Sequence, residues 1–424
     1  MKKILYILPF IASAAFAQES TTDEAYVDPS VACVSGDINW SAIEWTDAEG
    51  VARTSPIASS TDVYISGPRA SNYRHPVVEA GSDISINSLT VAVSNSSRND
   101  LKSFEIKGTA DSPVTFTIAN ALTLSQNFNT VYATNTTFSA GDTKMSYLSK
   151  LDFTASNVTL GNVSNGNAAT LAFNSTTANL GSIQMGHSST VSVVNHSDVT
   201  TANWYMQNPT LTVSDSKFTI GTGGGLVSSN TLKMNFTNAE VDIDMGIRNS
   251  AGPMTLNMEN SSLLIRRGAY NDGVSDALFF GKADQKATVS LSNSTISTTK
   301  GVSFGTSAES VLTISNLDAA KTVITCSNLT FAGSLIVDFT NSNITENTLF
   351  TLISATNASS VFDELLVNEM VTVQGLKEGE YYEWISEGSL VQLQFYAIPE
   401  PSTYAAVFGI LAVAFAFMRR RAGK

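Results

Sequence analysis

Four segments in the middle of the chain decide its fold: LDFTASNVTL at residues 151–160, LAFNSTTANL at 171–180, VSVVNHSDVT at 191–200 and LTVSDSKFTI at 211–220. Each opens with two apolar residues separated by one other residue, then passes through Asn, Ser or Asp into a second alternating stretch. Alternation with period two is typical of β-strands, because successive side chains of an extended chain point to opposite faces. The segments start 20 residues apart, which indicates a structural repeat.

The same pattern continues outward in both directions, less strictly. Eleven repeat starts are visible, at Val114, Val131, Leu151, Leu171, Val191, Leu211, Leu232, Leu256, Val289, Leu312 and Leu335. A repeat of this size holds two or three short strands with Gly, Asn and Ser turns, and eleven repeats stacked ~4.8 Å apart would make a rod of roughly 50 Å. We therefore predict an all-β chain, a right-handed parallel β-helix (solenoid) of about 20-residue coils over residues 61–345.

A stacked antiparallel sandwich is the alternative architecture. It would need hairpin turns of the Asn-Gly type between strands, and Asn165-Gly166 is the one clear case in the sequence. The sequence therefore favours parallel pairing.

The segments on either side of the repeats are predicted to cover the ends of the solenoid. Residues 18–60, with Trp40 and Trp45, form the expected N-terminal cap, and residues 346–397 form the expected C-terminal β cap. Caps are needed because an open end would expose apolar side chains and unpaired backbone. With the repeats, these segments resemble an autotransporter-type passenger, and the resemblance implies a β-helical body.

The N-terminus has the features of an export signal. Two lysines precede an apolar stretch at residues 4–16, and the small residues Ala15 and Ala17 stand just before Gln18. This order predicts a signal peptide over residues 1–17, which signal peptidase would remove before Gln18.

The C-terminus combines three elements in order: Pro399-Glu400-Pro401, an apolar run at residues 404–418, and Arg419-Arg420-Arg421. This order resembles the PEP-CTERM sorting signal, which in that family is recognised and removed by an exosortase. The resemblance implies that residues 398–424 are a sorting signal and that an exosortase-type enzyme is a partner.

The apolar run also predicts a short C-terminal transmembrane helix. As a helix, residues 404–418 span ~22 Å, somewhat less than a hydrocarbon core of ~30 Å. The three arginines would hold the tail on the cytoplasmic side of the inner membrane before processing. We expect transient anchoring followed by release to the cell surface or extracellular matrix, with an uncleaved tail anchor as the alternative.

Composition narrows the class of protein and its partners. Charged residues make up 14% of the chain and hydrophobic residues 43%, which excludes a disordered chain and disfavours a helical one. The formal net charge of −13 excludes nucleic acid as an expected partner. The two cysteines, Cys33 and Cys326, are interpreted as unrelated small buried residues, and the three histidines show no ligand spacing, so we predict no metal and no cofactor.

The strongest carboxylate pair lies in the segment Val241-Asp242-Ile243-Asp244. In a strand, Asp242 and Asp244 would share one face about 7 Å apart, and we expect both to point outward into solvent. The offsets of Asp242 and Glu259 from their repeat starts differ, so the sequence does not predict that these two stack.

One repeat is longer than the others. The stretch from Leu256 to Thr288 implies an insertion that begins near Arg266 and Arg267 and includes Tyr270. Insertions in solenoids form loops on one side, and such loops often bind ligands. A glycan contact made by Asp242, Asp244, Arg266, Arg267 and Tyr270 is a hypothesis, and an ordinary surface loop is the alternative.

Asn-x-Ser/Thr triplets recur along the chain, at Asn95, Asn135, Asn157, Asn174, Asn195, Asn235, Asn260, Asn293 and Asn328 among other positions. We interpret them as chance matches in a chain rich in these residues, or as outward turns suitable for modification.

As a whole, the sequence predicts a non-enzymatic surface or matrix protein, with a structural or adhesive role in association with extracellular polysaccharide or surface glycans. A β-helix polysaccharide-binding or polysaccharide-degrading enzyme is the alternative, and it would need converging carboxylates.

Overall fold

The structure is a computed structural model that describes residues 23–27, 38–68, 75–94, 102–267, 276–280, 285–342, 344–397, 408–415 and 418. The predicted signal peptide, Cys33, Tyr270, the Pro399-Glu400-Pro401 motif and Arg419-Arg420-Arg421 lie outside these residues. The chain is 54% strand and 6% helix, and its strands form two long sheets. The prediction of a mostly β, parallel structure is confirmed.

The elements are numbered here in chain order. The N-terminal part contains β1 Asp23–Val27, β2 Ile38–Asn39, the 3-10 turn Trp40–Ala42, β3 Trp45–Thr46, β4 Thr61–Pro68, β5 Pro76–Glu79, β6 Asp83–Ile86, β7 Ser88–Ser94, β8 Phe104–Lys107, β9 Val114–Ile118 and β10 Leu122–Leu124. The central part contains β11 Thr130–Thr134, β12 Thr136–Ala140, β13 Thr143–Met145, β14 Lys150–Thr154, β15 Asn157–Leu160, β16 Val163–Asn165, β17 Thr170–Asn174, β18 Thr177–Met185, β19 Thr190–Val194, β20 Asp198–Met206, β21 Thr210–Ser214, β22 Lys217–Ile220, β23 Leu226–Ser228, β24 Leu232–Thr237, β25 Glu240–Ile243 and β26 Ile247–Asn249. The C-terminal part contains β27 Met254–Glu259, β28 Ser262–Ile265, β29 Asp276–Phe280, β30 Ala287–Ser292, β31 Thr295–Thr298, β32 Gly301–Ser303, β33 Val311–Ser315, β34 Thr322–Thr325, β35 Leu329–Thr330, β36 Ser334–Asp338, β37 Thr348–Ser354, α1 Ala358–Val367, β38 Val371–Gln374, β39 Tyr381–Glu387 and β40 Leu390–Tyr396.

The first strand of each repeat belongs to a 14-stranded sheet, which runs from β2 to β38. Each of its strands pairs in parallel with the corresponding strand of the next repeat, so that Leu151 lies beside Leu171 and Phe153 beside Phe173. These four side chains are fully buried, while Asp152 between them points outward. The repeat predicted from the alternation is therefore the hydrogen-bonded register of this sheet.

Two of the predicted repeat starts are wrong. Met234, not Leu232, lies beside Leu211 in the sheet. The paired positions of these two repeats are three residues further apart along the chain than those of the four regular repeats. Val114 belongs to β9 in the other sheet, where it pairs with Thr136. Alternation with period two looks the same after a shift of two residues, so the sequence alone left this register open.

The remaining strands of each repeat form a 26-stranded sheet. Most repeats contribute two short strands, such as β15 and β16, while β18 and β20 run unbroken through the bend between them. A column of glycines occupies this bend. A Cβ on Gly161 would lie 2.8 Å from the carbonyl carbon of Gly141, so consecutive repeats approach each other too closely there for a side chain.

The antiparallel sandwich is wrong for the described residues. Among the described residues, each strand pair between β4 and β36 is parallel, and antiparallel pairing occurs near the ends, between β1 and β3, at the bridge of Thr46 with Ala52, and among β37, β39 and β40. Parallel pairing also reaches beyond the predicted repeat range of 61–345, since β1 pairs in parallel with β4 and β38 with β36.

A continuous apolar core runs along the inner faces of both sheets. Phe153 and Phe173 stack with ring centroids 5.7 Å apart, so equivalent side chains of successive repeats contact each other directly. Trp40 packs on Phe104 and Phe116 near the N-terminal end. These contacts keep the apolar side chains of the first repeats out of water.

The C-terminal region contains a helix that the sequence did not predict. Helix α1 buries Phe362 against Trp384 of β39, with ring centroids 4.7 Å apart. Residues 408–415 are also helical. None of the helices formed by the described residues is long and apolar enough to cross a membrane, so the predicted transmembrane helix is not supported.

Candidate functional site

In nine successive repeats a corner follows the strand of the 14-stranded sheet, and the first residue of this corner adopts a left-handed conformation; His196, next to Asn195, is left-handed as well. These residues form the asparagine corner, and their φ angles lie between 44° and 56°: Asn135, Ala155, Ser175, Asn195, Asp215, Asn238, Asn260, Asn293 and Asn316. Asn and Asp tolerate this conformation better than other residues with a side chain. The chain therefore turns from one sheet to the other at the same point of each of these repeats.

The side chains of this corner bind one another along the sheet. The amide nitrogen of Asn238 donates to Oδ1 of Asp215 at 2.8 Å, and Asn260 donates to Oδ1 of Asn238 at 3.2 Å. Asn293 donates to Oδ1 of Asn260 at 2.9 Å, and Lys321 Nζ donates to Oδ1 of Asn293 at 3.1 Å. A continuous ladder from Asp215 to Lys321 thus holds the amides of Asn238, Asn260 and Asn293 in a fixed orientation.

A buried row of hydroxyl groups lies directly behind the corner. It consists of Thr136, Ser156, Thr176, Ser197, Ser216, Ser261 and Ser294. The backbone amide of Ser261 donates to Oγ of Ser294 at 3.0 Å, and that hydroxyl donates to the carbonyl of Ser292 at 2.7 Å. The hydroxyls therefore satisfy buried backbone groups between repeats. Ala239 occupies the row position between Ser216 and Ser261 and has no hydroxyl.

Sequence reasoning missed this arrangement although its signal was visible. Asn135, Asn195, Asn260 and Asn293 head four of the Asn-x-Ser/Thr triplets, and all four stand at the asparagine corner. At Asn195 the serine of the triplet, Ser197, supplies the buried hydroxyl, whereas at the other three corners the residue directly after the asparagine supplies it. The corner therefore explains why Ser or Thr closely follows Asn at these four positions, and it does not account for the other triplets.

An open groove of about 780 Å³ follows the asparagine corner across five repeats. Its walls are His196, Ser197, Asp198, Asp215, Ser216, Lys217, Asn238, Ala239, Glu240, Asn260, Ser261, Ser262, Asn293, Thr295 and Lys321. Five repeats in register span about 19 Å. We call this feature the corner groove, and it is the candidate functional site because it is long, shallow and lined by polar groups.

Charges of both signs line the corner groove. Lys217 lies beside Asp198 and Glu240 in the sheet register, and its Nζ is 3.5 Å from Oε1 of Glu240. Both side chains are largely exposed, so this pair adds little to stability and is free to exchange for other partners. Amide, hydroxyl, carboxylate and ammonium groups together can donate to and accept from a hydroxylated chain along its length.

The structure brings together four of the five residues proposed as a glycan contact. Nε of Arg266 donates to Oδ1 of Asp242 at 2.9 Å, and its Nη2 pairs with Oδ2 of the same carboxylate. Nε of Arg267 lies 3.3 Å from Oδ1 of Asp244. The hydrogen bond to the Asp242 carboxylate raises the pKa of the Arg266 guanidinium above its usual value.

The prediction that both carboxylates point into solvent is wrong for Asp244. This residue follows the end of β25 and is only 8% exposed, and its Oδ2 accepts a hydrogen bond of 2.7 Å from the backbone amide of Gly223. Asp244 therefore fixes a turn of the preceding repeat. Glu259 lies in β27, in the other sheet, so it does not join this group.

No group of three or more His, Cys, Asp or Glu side chains within the described ranges is arranged to hold a metal ion. His196 lines the corner groove, whereas His187 lies at a different corner. Cys326 is buried, and burial raises the pKa of its thiol to about 11, so it stays protonated near neutral pH.

The chain matches no protein-family model, and neither a curated protein nor a solved structure matches it.

Proposed function

We propose that this chain is an exported cell-surface or extracellular-matrix protein whose corner groove associates with extracellular polysaccharide. In this proposal the two sheets belong to one closed, right-handed solenoid, since crossover connections between parallel strands are almost always right-handed. The role is structural or adhesive. Many weak contacts, multiplied by many copies on one surface, supply the binding strength.

The observation that carries the proposal is the shape and chemistry of the corner groove. A polysaccharide is a long chain of hydroxyl donors and acceptors, and the groove offers polar groups of both kinds over about 19 Å. Hydrogen bonds already fix the amides of Asn238 and Asn260, so little further ordering is needed when a ligand binds. The Asp242–Arg266 pair follows Glu240 on the outward side of the same strand and would extend the contact.

Groove variants test this proposal. Glu240→Gln removes one charge without changing side-chain length, and Lys217→Gln removes the other with a side chain one atom shorter. We expect each to weaken binding of a soluble neutral glucan severalfold. Lys233→Gln is the matched control, because Lys233 is exposed on the outward face of the 14-stranded sheet. Equal binding by all three variants and the unmodified chain would overturn the role of the groove.

Export and sorting are proposed from the two ends of the chain. Signal peptidase would cut before Gln18, and an exosortase-type enzyme would act at Pro399-Glu400-Pro401 while the tail is anchored in the inner membrane. Mass spectrometry of the surface form tests this directly. A C-terminus between Pro399 and Ser402 is expected, whereas surface peptides that retain Arg419 to Arg421 would support an uncleaved anchor.

A polysaccharide-degrading enzyme is the second candidate. It is favoured by one observation, that Asp198, Asp215 and Glu240 all line the same groove. Carboxylates on either side of a glycosidic bond can act as acid and base. Release of reducing ends from a bound polysaccharide, lost in Glu240→Gln, would support the enzyme. Binding without release of reducing ends would support the structural role.

A further inference from the structure

A second corner precedes the strands of the 14-stranded sheet. Five residues there adopt a left-handed conformation with φ between 50° and 63°: Phe128, Leu148, Ala168, Ser188 and Asn208. Because the strands are parallel, this corner lies at the edge of the sheet opposite the asparagine corner. The two surfaces therefore belong to different sides of the molecule.

Exposed aromatic rings mark this corner. Among the described large apolar side chains between residues 102 and 342, only Tyr147, Tyr205 and Leu264 are exposed. Tyr147 precedes the left-handed residue Leu148, whereas Tyr205 lies in β20, in register with Lys144, three residues before Tyr147. The repeats that hold the two tyrosines are three steps apart, or about 14 Å along the stacking direction. Phe128 packs edge-on against Tyr147, with ring centroids 6.5 Å apart, and so limits the orientations of that ring.

Exposed polar groups lie between the two tyrosines, namely Asn167, Gln184, His187 and Gln207. They are held in place: the backbone amide of His187 donates to Oδ1 of Asn167 at 2.9 Å, and its Nδ1 lies 2.7 Å from Oγ of Ser188. The side-chain amide of Asn208 binds Nε2 of the same ring. None of these side chains carries a negative charge, although the chain as a whole has a formal net charge of −13.

We propose that this surface, the tyrosine corner, is a second polysaccharide contact that binds uncharged sugar rings. The apolar C–H face of a sugar ring stacks on the face of Tyr147 or Tyr205, which is electron-rich, while Gln184 and Gln207 bind ring hydroxyls. A chain lying along the sheet reaches both tyrosines. This inference rests on the proposed function, because it names a second site for the same class of ligand.

A second copy of this chain is the other possible occupant. Two strongly acidic copies repel each other. A neutral polymer meets no such repulsion, and it is therefore the occupant that the charges favour.

Binding of hydroxyethylcellulose, a soluble neutral glucan, to the full exported chain tests the inference in affinity gels. We expect Tyr147→Ala and Tyr205→Ala each to weaken binding about tenfold, and Tyr147→Trp to retain it. Tyr381→Ala is the matched control, because Tyr381 is 54% exposed but lies in the C-terminal region. Unchanged thermal unfolding of each variant confirms that the fold is intact.

Three outcomes would count against the inference, and they are distinguishable. Normal binding by both alanine variants, with loss in the groove variants, overturns the tyrosine corner and leaves the proposed function intact. Absence of binding by the unmodified chain to hydroxyethylcellulose and to alginate overturns both. A dimer in sedimentation that dissociates in Tyr147→Ala assigns the surface to self-association instead.

Discussion

The side-chain amide of Asn293 donates a hydrogen bond to Oδ1 of Asn260 at 2.9 Å, although 33 residues separate them along the chain. Both residues are left-handed and both belong to the asparagine corner. The long repeat between them therefore adds its extra residues elsewhere, and the corner keeps its geometry. This constancy produces a groove that continues across five repeats.

Replacing Asn260 tests the importance of the ladder. Asn260→Ala removes the hydrogen bonds to Asn238 and Asn293, and we expect it to lower the free energy of unfolding by about 2 kcal/mol. Asn260→Gly loses the same bonds but relieves the left-handed strain, so it should cost less. Denaturant unfolding measures both. A stability equal to that of the unmodified chain in Asn260→Ala would show that the ladder contributes nothing.

Ala239 interrupts the buried hydroxyl row, and a single substitution would complete it. In Ala239→Ser the new hydroxyl can accept from the backbone amide of Ser216, as Ser261 accepts from Ala239 at 3.0 Å. We expect a gain of about 1 kcal/mol in the free energy of unfolding. The reciprocal change Ser261→Ala should destabilise the chain by about 1–3 kcal/mol, because it leaves a buried amide without an acceptor. A loss of stability in Ala239→Ser would contradict this account.

A substitution at Gly161 tests how closely successive repeats approach each other at the bend of the 26-stranded sheet. A Cβ there would lie 2.8 Å from the carbonyl carbon of Gly141, so Gly161→Ala should destabilise the chain by roughly 2 kcal/mol or more. Gly221 stands in the same column, but its nearest neighbour to a Cβ is 3.6 Å away. Gly221→Ala should therefore be tolerated. Similar melting temperatures for the two variants would be inconsistent with the described backbone spacing.

The contacts of Glu105 predict how the free energy of unfolding responds to acid. A hydrogen bond from His75, and then the pairing with Lys102, lower the pKa of this carboxyl from 4.5 to about 2. Because the folded-state pKa is depressed, the stabilisation is complete above pH 4.5 and is lost as the pH falls toward 2. The contribution is at most about 3 kcal/mol. In Glu105→Gln the free energy of unfolding should change less between these pH values, and an unchanged pH dependence would refute the assignment.

The sequence was sufficient to predict the sheet register where repeats are regular. Leu151 and Leu171 occupy equivalent positions of consecutive repeats and lie beside each other in the sheet. Equal spacing combined with alternation allows only this alignment. Leu232 and Met234 show where this fails, since alternation permits either alignment once the spacing changes. Strand pairing in the C-terminal region, and the position of helix α1, depend on turns that do not repeat, so no periodic pattern predicts them.

The site was less predictable than the fold. Asp242, Asp244, Arg266 and Arg267 were grouped correctly as neighbours, but the burial of Asp244 depends on how the Gly223 turn folds over it. The corner groove was not predicted, because its walls come from residues about 20 apart that form no local motif. Four of the Asn-x-Ser/Thr triplets begin at residues of this corner, and they were its visible signal in the sequence.

Hydrogen exchange of the full chain, with and without extracellular polysaccharide, tests the central claim most directly. If the corner groove holds the polymer, backbone amides at residues 196–198, 215–217, 238–240 and 260–262 exchange more slowly in its presence. Those on the outward bend at Gly141 and Gly161 stay unchanged. Protection that avoids the corner groove, or an exchange pattern that the polysaccharide does not alter, would contradict the proposed function.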